Sequence, residues 1–288
     1  MNSPLDNLLS RYELKSVDQS TNALREIAQE IILLGLWRGK FFEHACFYGG
    51  TALRIIYGLD RFSLDMDFSL NKPDADFTLK PYLGFLEKEL HAFGFDITIQ
   101  GKQTSGRTKI ESAFLKMNTR INMLMIGVPA SIVSRVAREQ LLKIKMEVDT
   151  DPPGSAGSEV SFLYRPQAFS IRTYDLPSMF AGKLHAAIAR AWQTRVKGRD
   201  WYDLVWFVSR ETPASLSHLR ARLIQTGHIS ANALWDDSHA RAMLLEKINR
   251  LDIQAARSDV LPFLKDPSAV NVWSREFFRD LVGRIRFL

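Results

Sequence analysis

The sequence predicts an α+β fold: a mixed α/β unit over residues 1–174, then a helical region over 175–288. Three observations predict it. Short runs between positions 44 and 174 alternate apolar and polar residues and are bounded by glycine, proline or aspartate, as strands are. Two longer stretches in the same part space their apolar residues as helices do. Beyond Asp175 every patterned stretch is helical, and strands followed by helices argue for an α/β unit and then an α-helical one.

Taken in order, positions 17–37 form a long amphipathic helix, with Ala23, Ile27, Ile31, Ile32 and Leu34 on its apolar face. "HACFYGG" (44–50) is an apolar strand ending in glycines, and positions 51–57 are a short helix with Thr51 as N-cap. "LDMDFSL" (64–70) is a strand. Positions 78–95 are a helix, bent or started late at Pro81. Strands follow at 95–100, 109–117, 141–150 and 169–174, making an antiparallel-looking sheet. "DTDPPGSAGSE" (149–159) is a loop. Helices then cover 175–192, 199–210, 215–227, 237–251 and 270–287.

Composition narrows the function classes. The chain of 288 residues is 46% hydrophobic, enough for a full core. No apolar run reaches the roughly 18–20 residues of a membrane span, and the N-terminal stretch has no signal-peptide pattern. The one cysteine, Cys46, excludes an intrachain disulfide and suits a reducing cytoplasm. A net charge of +6 permits a nucleic-acid partner through phosphate attraction. His44, His91 and His185 have no metal-ligand spacing, and Cys46 has no basic neighbour to activate it. "GKQTSGRTK" (101–109) lacks the context of a P-loop and reads as a basic hairpin turn able to touch RNA.

The chemistry concentrates in "GGTALRIIYGLDRFSLDMDF" (49–68). On a strand Asp65 and Asp67 share a face, about 7 Å apart, with Leu64, Met66 and Phe68 on the other. Paired carboxylates repel unless a cation lies between them, and Mg²⁺, which takes oxygen ligands and keeps water or phosphate, is the natural one. Gly49, Gly50 and Thr51 end a strand and open a helix, so their backbone N–H groups suit a phosphate. A triphosphate cradle beside a metal pair outlines a nucleoside triphosphate site. On the strand 141–150, Lys143, Lys145, Glu147 and Asp149 share one face. If it pairs with "DMDF", Glu147 or Asp149 falls about 5 Å from the pair. Both are candidates for the third carboxylate and for a general base, with Asp149 taken as a metal ligand and Lys145 as a phosphate ligand.

The pattern Gly49-Gly50-Thr51, then Arg61, Ser63, Asp65 and Asp67, resembles the signature of the AbiEii/AbiGii toxins, as do "IKMEVDTDPP", "LPSMFAGKLHA" and "VKGRDWYDLVWF". The resemblance spans about 47–207 and implies a DNA polymerase β-like nucleotidyltransferase core. A helical domain (175–288) would complete the active-site cleft. It implies transfer of a nucleoside monophosphate from an NTP to RNA, with the tRNA 3′ end as acceptor. It also implies a toxin–antitoxin or phage-defence role with a cognate antitoxin. Ser63 joins the nucleotide ligands through the signature. Lys183, at the edge of the stripe Phe180, Leu184, Ala187, Ile188 and Ala191, is the family's active-site lysine; its bland alternative is a snorkelling side chain. Asp200 and Asp203 are neighbours on one helix; Asp203 would pair with Lys183, whereas Asp200 would cap the first turn. Lys197 and Arg199 add charge for RNA or form a solvated basic loop. A protein acceptor, or a non-catalytic nucleotide- or RNA-binding module, are the alternatives to the RNA-modifying enzyme.

Overall fold

Ser16 starts the first helix, α1 (Val17–Arg38): its side chain accepts the Gln19 N–H, and the helix ends at Gly39. Ile27, Ile31 and Leu34 on its apolar face are fully buried. The chain, in this computed structural model, is described over residues 8–101, 109–190 and 196–288. After α1 come β1 (Ala45–Tyr48), α2 (Gly49–Tyr57), β2 (Met66–Leu70), α3 (Lys80–Ala92), β3 (Ile97–Gly101) and β4 (Ile110–Asn118). Pro81 lies in the first turn of α3, where its missing N–H costs nothing. Two short helices, α4 (Thr119–Met125) and α5 (Ala130–Val133), precede β5 (Leu141–Asp149), β6 (Ser158–Leu163) and β7 (Phe169–Tyr174).

These strands form one seven-stranded sheet in the order β3-β4-β5-β2-β1-β7-β6. The antiparallel-looking sheet expected from the sequence is in fact mixed. β1–β2, β3–β4 and β4–β5 run antiparallel, but β2–β5 and β1–β7 run parallel. Alternation reports which face is buried and says nothing of direction, and the long connections allow either. β6 lies partly within the stretch read as loop; it ends the sheet, with Val160 and Phe162 exposed on its outer face. Phe68 anchors the core beneath the acidic strand, its ring 5.1 Å from both Phe41 and Phe47.

The helical part comprises α6 (Leu176–Ala189), α7 (Gly198–Ser209), α8 (Leu216–Gln225), α9 (Asp237–Asn249), α10 (Ile253–Val260) and α11 (Arg275–Arg284). Asp175, Ser215, Asp236, Asp252 and Ser274 cap α6, α8, α9, α10 and α11 through side-chain oxygens. α10 has no counterpart in the predicted helices. Gly198 is required by packing, because a Cβ there would overlap the Ala256 carbonyl. The rings of Phe180 and Phe207 stack at 4.5 Å, and Trp201 and Trp273 pack edge-on against Phe278.

By contacts the chain divides into two units. Among the described residues the first comprises those within Met1–Ile56, Leu64–Pro152 and Val160–Thr173. The second comprises Tyr57–Ser63, Pro153–Glu159 and those within Tyr174–Leu288. The connector from α2 to β2 thus belongs with the helices, although both elements it joins belong to the sheet unit.

Candidate active site

In the sheet unit, β1 runs antiparallel to β2 and brings Tyr48 opposite Asp67. The next residue, Gly49, has φ +83°, and a Cβ on it would lie 2.5 Å from Asp67 Oδ2. Gly49 is therefore glycine for two reasons: its backbone is left-handed, and the Asp67 carboxylate occupies the space a side chain would need. Helix α2 starts at Gly49 itself. Thr51, expected as its N-cap, lies inside the helix, fully buried, and its hydroxyl donates to the Asp65 carbonyl. The helix start thus leaves room for the Asp67 carboxylate at Gly49 and fixes the Asp65 main chain through Thr51. Both carboxylate residues remain half-exposed.

Helix α1 supplies a polar face that its apolar periodicity conceals. Asn22, Arg25, Glu26 and Gln29 follow at helical spacing. Gln29 Nε2 donates to the Leu64 carbonyl at 3.1 Å, fixing the residue before Asp65. Glu26 takes Arg54 of α2 at 2.7 Å and the Tyr12 hydroxyl at 2.7 Å. Arg25 feels the Asp65 charge, and burial pulls its pKa down while Asp65 pulls it up. Buried polar residues in a mostly apolar helix were the signal available in the sequence for this support.

The register identifies the carboxylate beside the pair. β2 and β5 run parallel with Asp67 opposite Glu147, whereas Asp149 lies opposite Ser69. Glu147 carries an ion pair with Lys145 at 2.6 Å, so Lys145 is engaged within its own strand. Asp149 Oδ1 accepts the Asp151 N–H at 3.1 Å and closes the turn after the strand. Among the described residues no three His, Cys, Asp or Glu side chains converge as a ready metal site. The strand expected over 64–70 starts only at Met66, so Asp65 precedes it instead of sharing a strand face with Asp67; the acids there are Asp65, Asp67 and, opposite Asp67 on β5, Glu147. That set suits a hard divalent cation completing its shell with phosphate oxygens and water.

The helical unit holds its own cluster. Asp203, fully buried, takes Arg61 in a two-pronged ion pair at 2.6 Å for both bonds. Lys183 Nζ lies 2.7 Å from Oδ2 of the same carboxyl, the oxygen that also accepts from Arg61 Nη2. Burial alone would push that carboxyl up, but Arg61 and Lys183 outweigh it and hold it below the usual carboxylate range. Lys183 is therefore not a simple snorkelling side chain. Arg61, in the signature, is committed to this pair, and Tyr202 fixes the adjacent Asp60 at 2.7 Å. Ser63 closes the same connector, half-exposed.

Asp200 does not cap α7, which has no side-chain cap; it is buried and paired with Arg190 at 3.1 Å. Nor is the preceding segment a solvated basic loop. Lys197 is half-buried, its pKa lowered chiefly by burial, and Arg199 lies 4.4 Å over the Phe263 ring. The central part of the "GKQTSGRTK" turn, 102–108, lies outside the described residues, as does Ala191 of the α6 stripe. His185 has its pKa pushed down to about 4 by burial and by Arg222, His228 and other nearby cations, so it stays neutral.

The family model described as nucleotidyl transferase AbiEii toxin, type IV TA system, matches residues 31–278, and the chain belongs to that family. It is accordingly a nucleotidyltransferase of a toxin–antitoxin family. Two solved structures from Helicobacter pylori are similar. One is JHP933, at 18% identity and TM-score 0.48 over 90% of this chain and 87% of that one. The other, provisionally described as a nucleotidyltransferase, has 17% identity and TM-score 0.47 over 88% of each chain. No curated protein sequence matches. Among the described residues no helix is long and apolar enough to cross a membrane.

Proposed function

We propose that the protein is a Mg²⁺-dependent toxin that transfers a nucleoside monophosphate from an NTP to an RNA acceptor, the 3′ end of tRNA, and releases pyrophosphate. The observation that carries this reading is the seating of Asp67 against Gly49, with Asp65 held beside it by Thr51. Asp65 and Asp67 would hold the divalent ion, which when bound neutralises the triphosphate and stabilises the attacking and leaving oxygens. Glu147, opposite Asp67, is the third carboxylate and the group to accept the acceptor hydroxyl's proton. Asp149, taken up in its turn, serves that strand end.

Gly49, Gly50 and the first turn of α2 offer backbone N–H groups to phosphate. Lys183 is proposed as a phosphate-binding cation whose direction is fixed by Asp203. Net charge of +6 favours an RNA acceptor over a basic protein surface only weakly, and the RNA acceptor is otherwise what the likeness of the signature to the AbiEii/AbiGii toxins implies. A tRNA acceptor places the activity in the cytoplasm, and the family's type IV systems supply a cognate antitoxin. The test is transfer from each of the four α-³²P-labelled NTPs to tRNA, to tRNA shorn of its 3′ end, and to a protein extract, with Mg²⁺ present or chelated. Label on intact tRNA alone supports the proposal. Label on protein, or transfer unaffected by chelation, overturns it.

A further inference from the structure

We propose that the outer face of β6 and β7 is a docking surface for single-stranded RNA: unpaired bases of the acceptor stack on Phe162 and Tyr164, and Arg172 and Lys40 meet its phosphates. This rests on the reading that the acceptor is RNA. The register carries the placement, and all the residues involved belong to the sheet unit. Asp67 on β2 is opposite Tyr48 on β1, so those two share a face of the sheet and Phe47 lies on the other. Phe47 is level with Thr173 on β7, so Arg172, one residue earlier, lies on the face of Asp67. The hydroxyls of Ser161 and Thr173 are 3.2 Å apart, which puts Ser161 with Thr173 and leaves Val160 and Phe162 on the face of Arg172. Tyr164 continues the row just past the end of β6. Asp67, Glu147 opposite it, and this row therefore share one face of one sheet, with β1 between β2 and β7.

The row is bare. Val160, Phe162 and Tyr164 are 60%, 65% and 76% exposed at the last strand of the sheet. A contiguous apolar strip of this kind marks a binding surface. Its borders are basic: segments 37–43 and 160–173 carry Arg38, Lys40, Arg165 and Arg172 against one acid, Glu43. Arg38 and Arg165 reach the buried Glu89 and Glu30 at 3.0 and 3.9 Å, and Lys40 lies 3.9 Å from Glu43 with both side chains well exposed. Arg172 is exposed and makes no hydrogen bond or ion pair among the described residues. Val160 and Arg172 line, with Trp37, Lys40, Phe42 and Ser170, a hollow of about 580 Å³, room for a nucleobase and its ribose. Single strands are held by aromatic rings, on which any base stacks, and by cations that follow the phosphates. Rings at every second position, about 7 Å apart, suit successive bases. The basic borders favour a polyanion over a second copy of this chain, whose matching face would bring like charges together.

The experiment measures binding of a short fluorescent single-stranded RNA of mixed sequence by anisotropy, without NTP so that no transfer occurs. Phe162→Ala and Tyr164→Ala should each weaken binding about tenfold, while Phe162→Trp, which keeps a ring, should match wild type. Arg172→Gln should flatten the slope of log affinity against log salt by about 0.7. Wild type that does not bind the RNA, or folded alanine variants that bind it as wild type does, overturn the proposal. If the alanine variants unfold, Arg172→Gln decides: an unchanged salt slope overturns it. Sedimentation tests the protein alternative: a wild-type dimer that Phe162→Ala splits into monomers makes this face a self-interface and overturns the proposal. Transfer to tRNA separates the two readings. If wild type labels no tRNA but the alanine variants lose RNA binding, the acceptor reading fails and the docking surface stands. If wild type labels tRNA and the variants bind RNA unchanged, the surface fails and the acceptor reading stands.

Discussion

Asp67 and Asp203 are both aspartates on regular elements close to signature residues, yet their surroundings differ in kind. Asp67 sits half-exposed over bare backbone at Gly49, with Glu147 rather than a cation opposite it. Asp203 is fully buried and takes three charged hydrogen bonds from two cations. The first carboxylate stays half-exposed against backbone, and the second is enclosed and met by two cations. A carboxylate proposed to receive a metal needs an open side. A buried carboxylate that ties a connector to a helix bundle needs its charge answered. The sequence motif includes both, so the motif alone does not separate catalysis from scaffolding.

The largest effect that would break this contrast is at Asp67. Asp67→Asn removes one ligand charge from a site whose proposed ion supplies several kcal/mol of transition-state stabilisation, so transfer should fall on the order of a thousandfold or more. Melting temperature should hold or rise slightly, because like-charged neighbours are relieved. Pyrophosphate release at near the wild-type rate would show that Asp67 is not a ligand. Next in size is the mirror experiment. Asp203→Ala leaves Arg61 and Lys183 buried together without their counter-charge, costing about 3–5 kcal/mol of stability. Urea denaturation measures it. A loss under about 1 kcal/mol would mean the cluster relaxes into water and does not anchor the connector.

A smaller effect is expected at Gly49. Gly49→Ala forces a left-handed φ on alanine and presses Cβ against Asp67 Oδ2. Strain of about 1–3 kcal/mol should appear in stability, with transfer falling further because the carboxylate must shift. Transfer and stability unchanged together would mean Asp67 can turn away without cost, and that its seat against the helix start is incidental.

Much of this was legible beforehand. Gly49 stood out because a strand running straight into a helix needs a residue free of a side chain, and Asp65 and Asp67 stood out as an acid pair, although only Asp67 lies on β2. The pairing of Asp203 with Lys183 was one possibility the sequence offered from the depth of Asp203 in its helix, and the structure contains that pair. Which of Glu147 and Asp149 lies opposite Asp67 was not legible. It depends on a parallel register between β2 and β5, and strands far apart in sequence do not write their register into local pattern. The role of Arg61 was hidden for a related reason: its partner lies 142 positions away. The polar face of α1 was visible as Arg25, Glu26 and Gln29 among apolar residues, but the apolar period drew attention to the opposite side. β6 was missed because only one of its faces is covered and its start follows a proline- and glycine-rich stretch.

The smallest effect tests the saturated carboxylate by pH. The Asp203 carboxyl is held below its ordinary value of 3.8 in the folded chain, because Arg61 and Lys183 outweigh its burial. A depressed folded pKa means the unfolded state takes up the proton first as pH falls. The stabilisation is therefore complete above about 3.8 and is lost progressively below it, towards the folded value. Other acids also titrate there, so wild-type acid unfolding alone does not isolate Asp203. The difference between wild type and Asp203→Asn does, since the asparagine cannot titrate. That difference should be flat from pH 7 to about 4.5 and should shrink below the ordinary aspartate value. The check is urea denaturation of both proteins across that range. A difference that stays constant into the acid range would show that Asp203 gains nothing from its charge. The two carboxylates would then differ in burial alone, and the connector would be held by packing around Arg61 instead of by the ion pair.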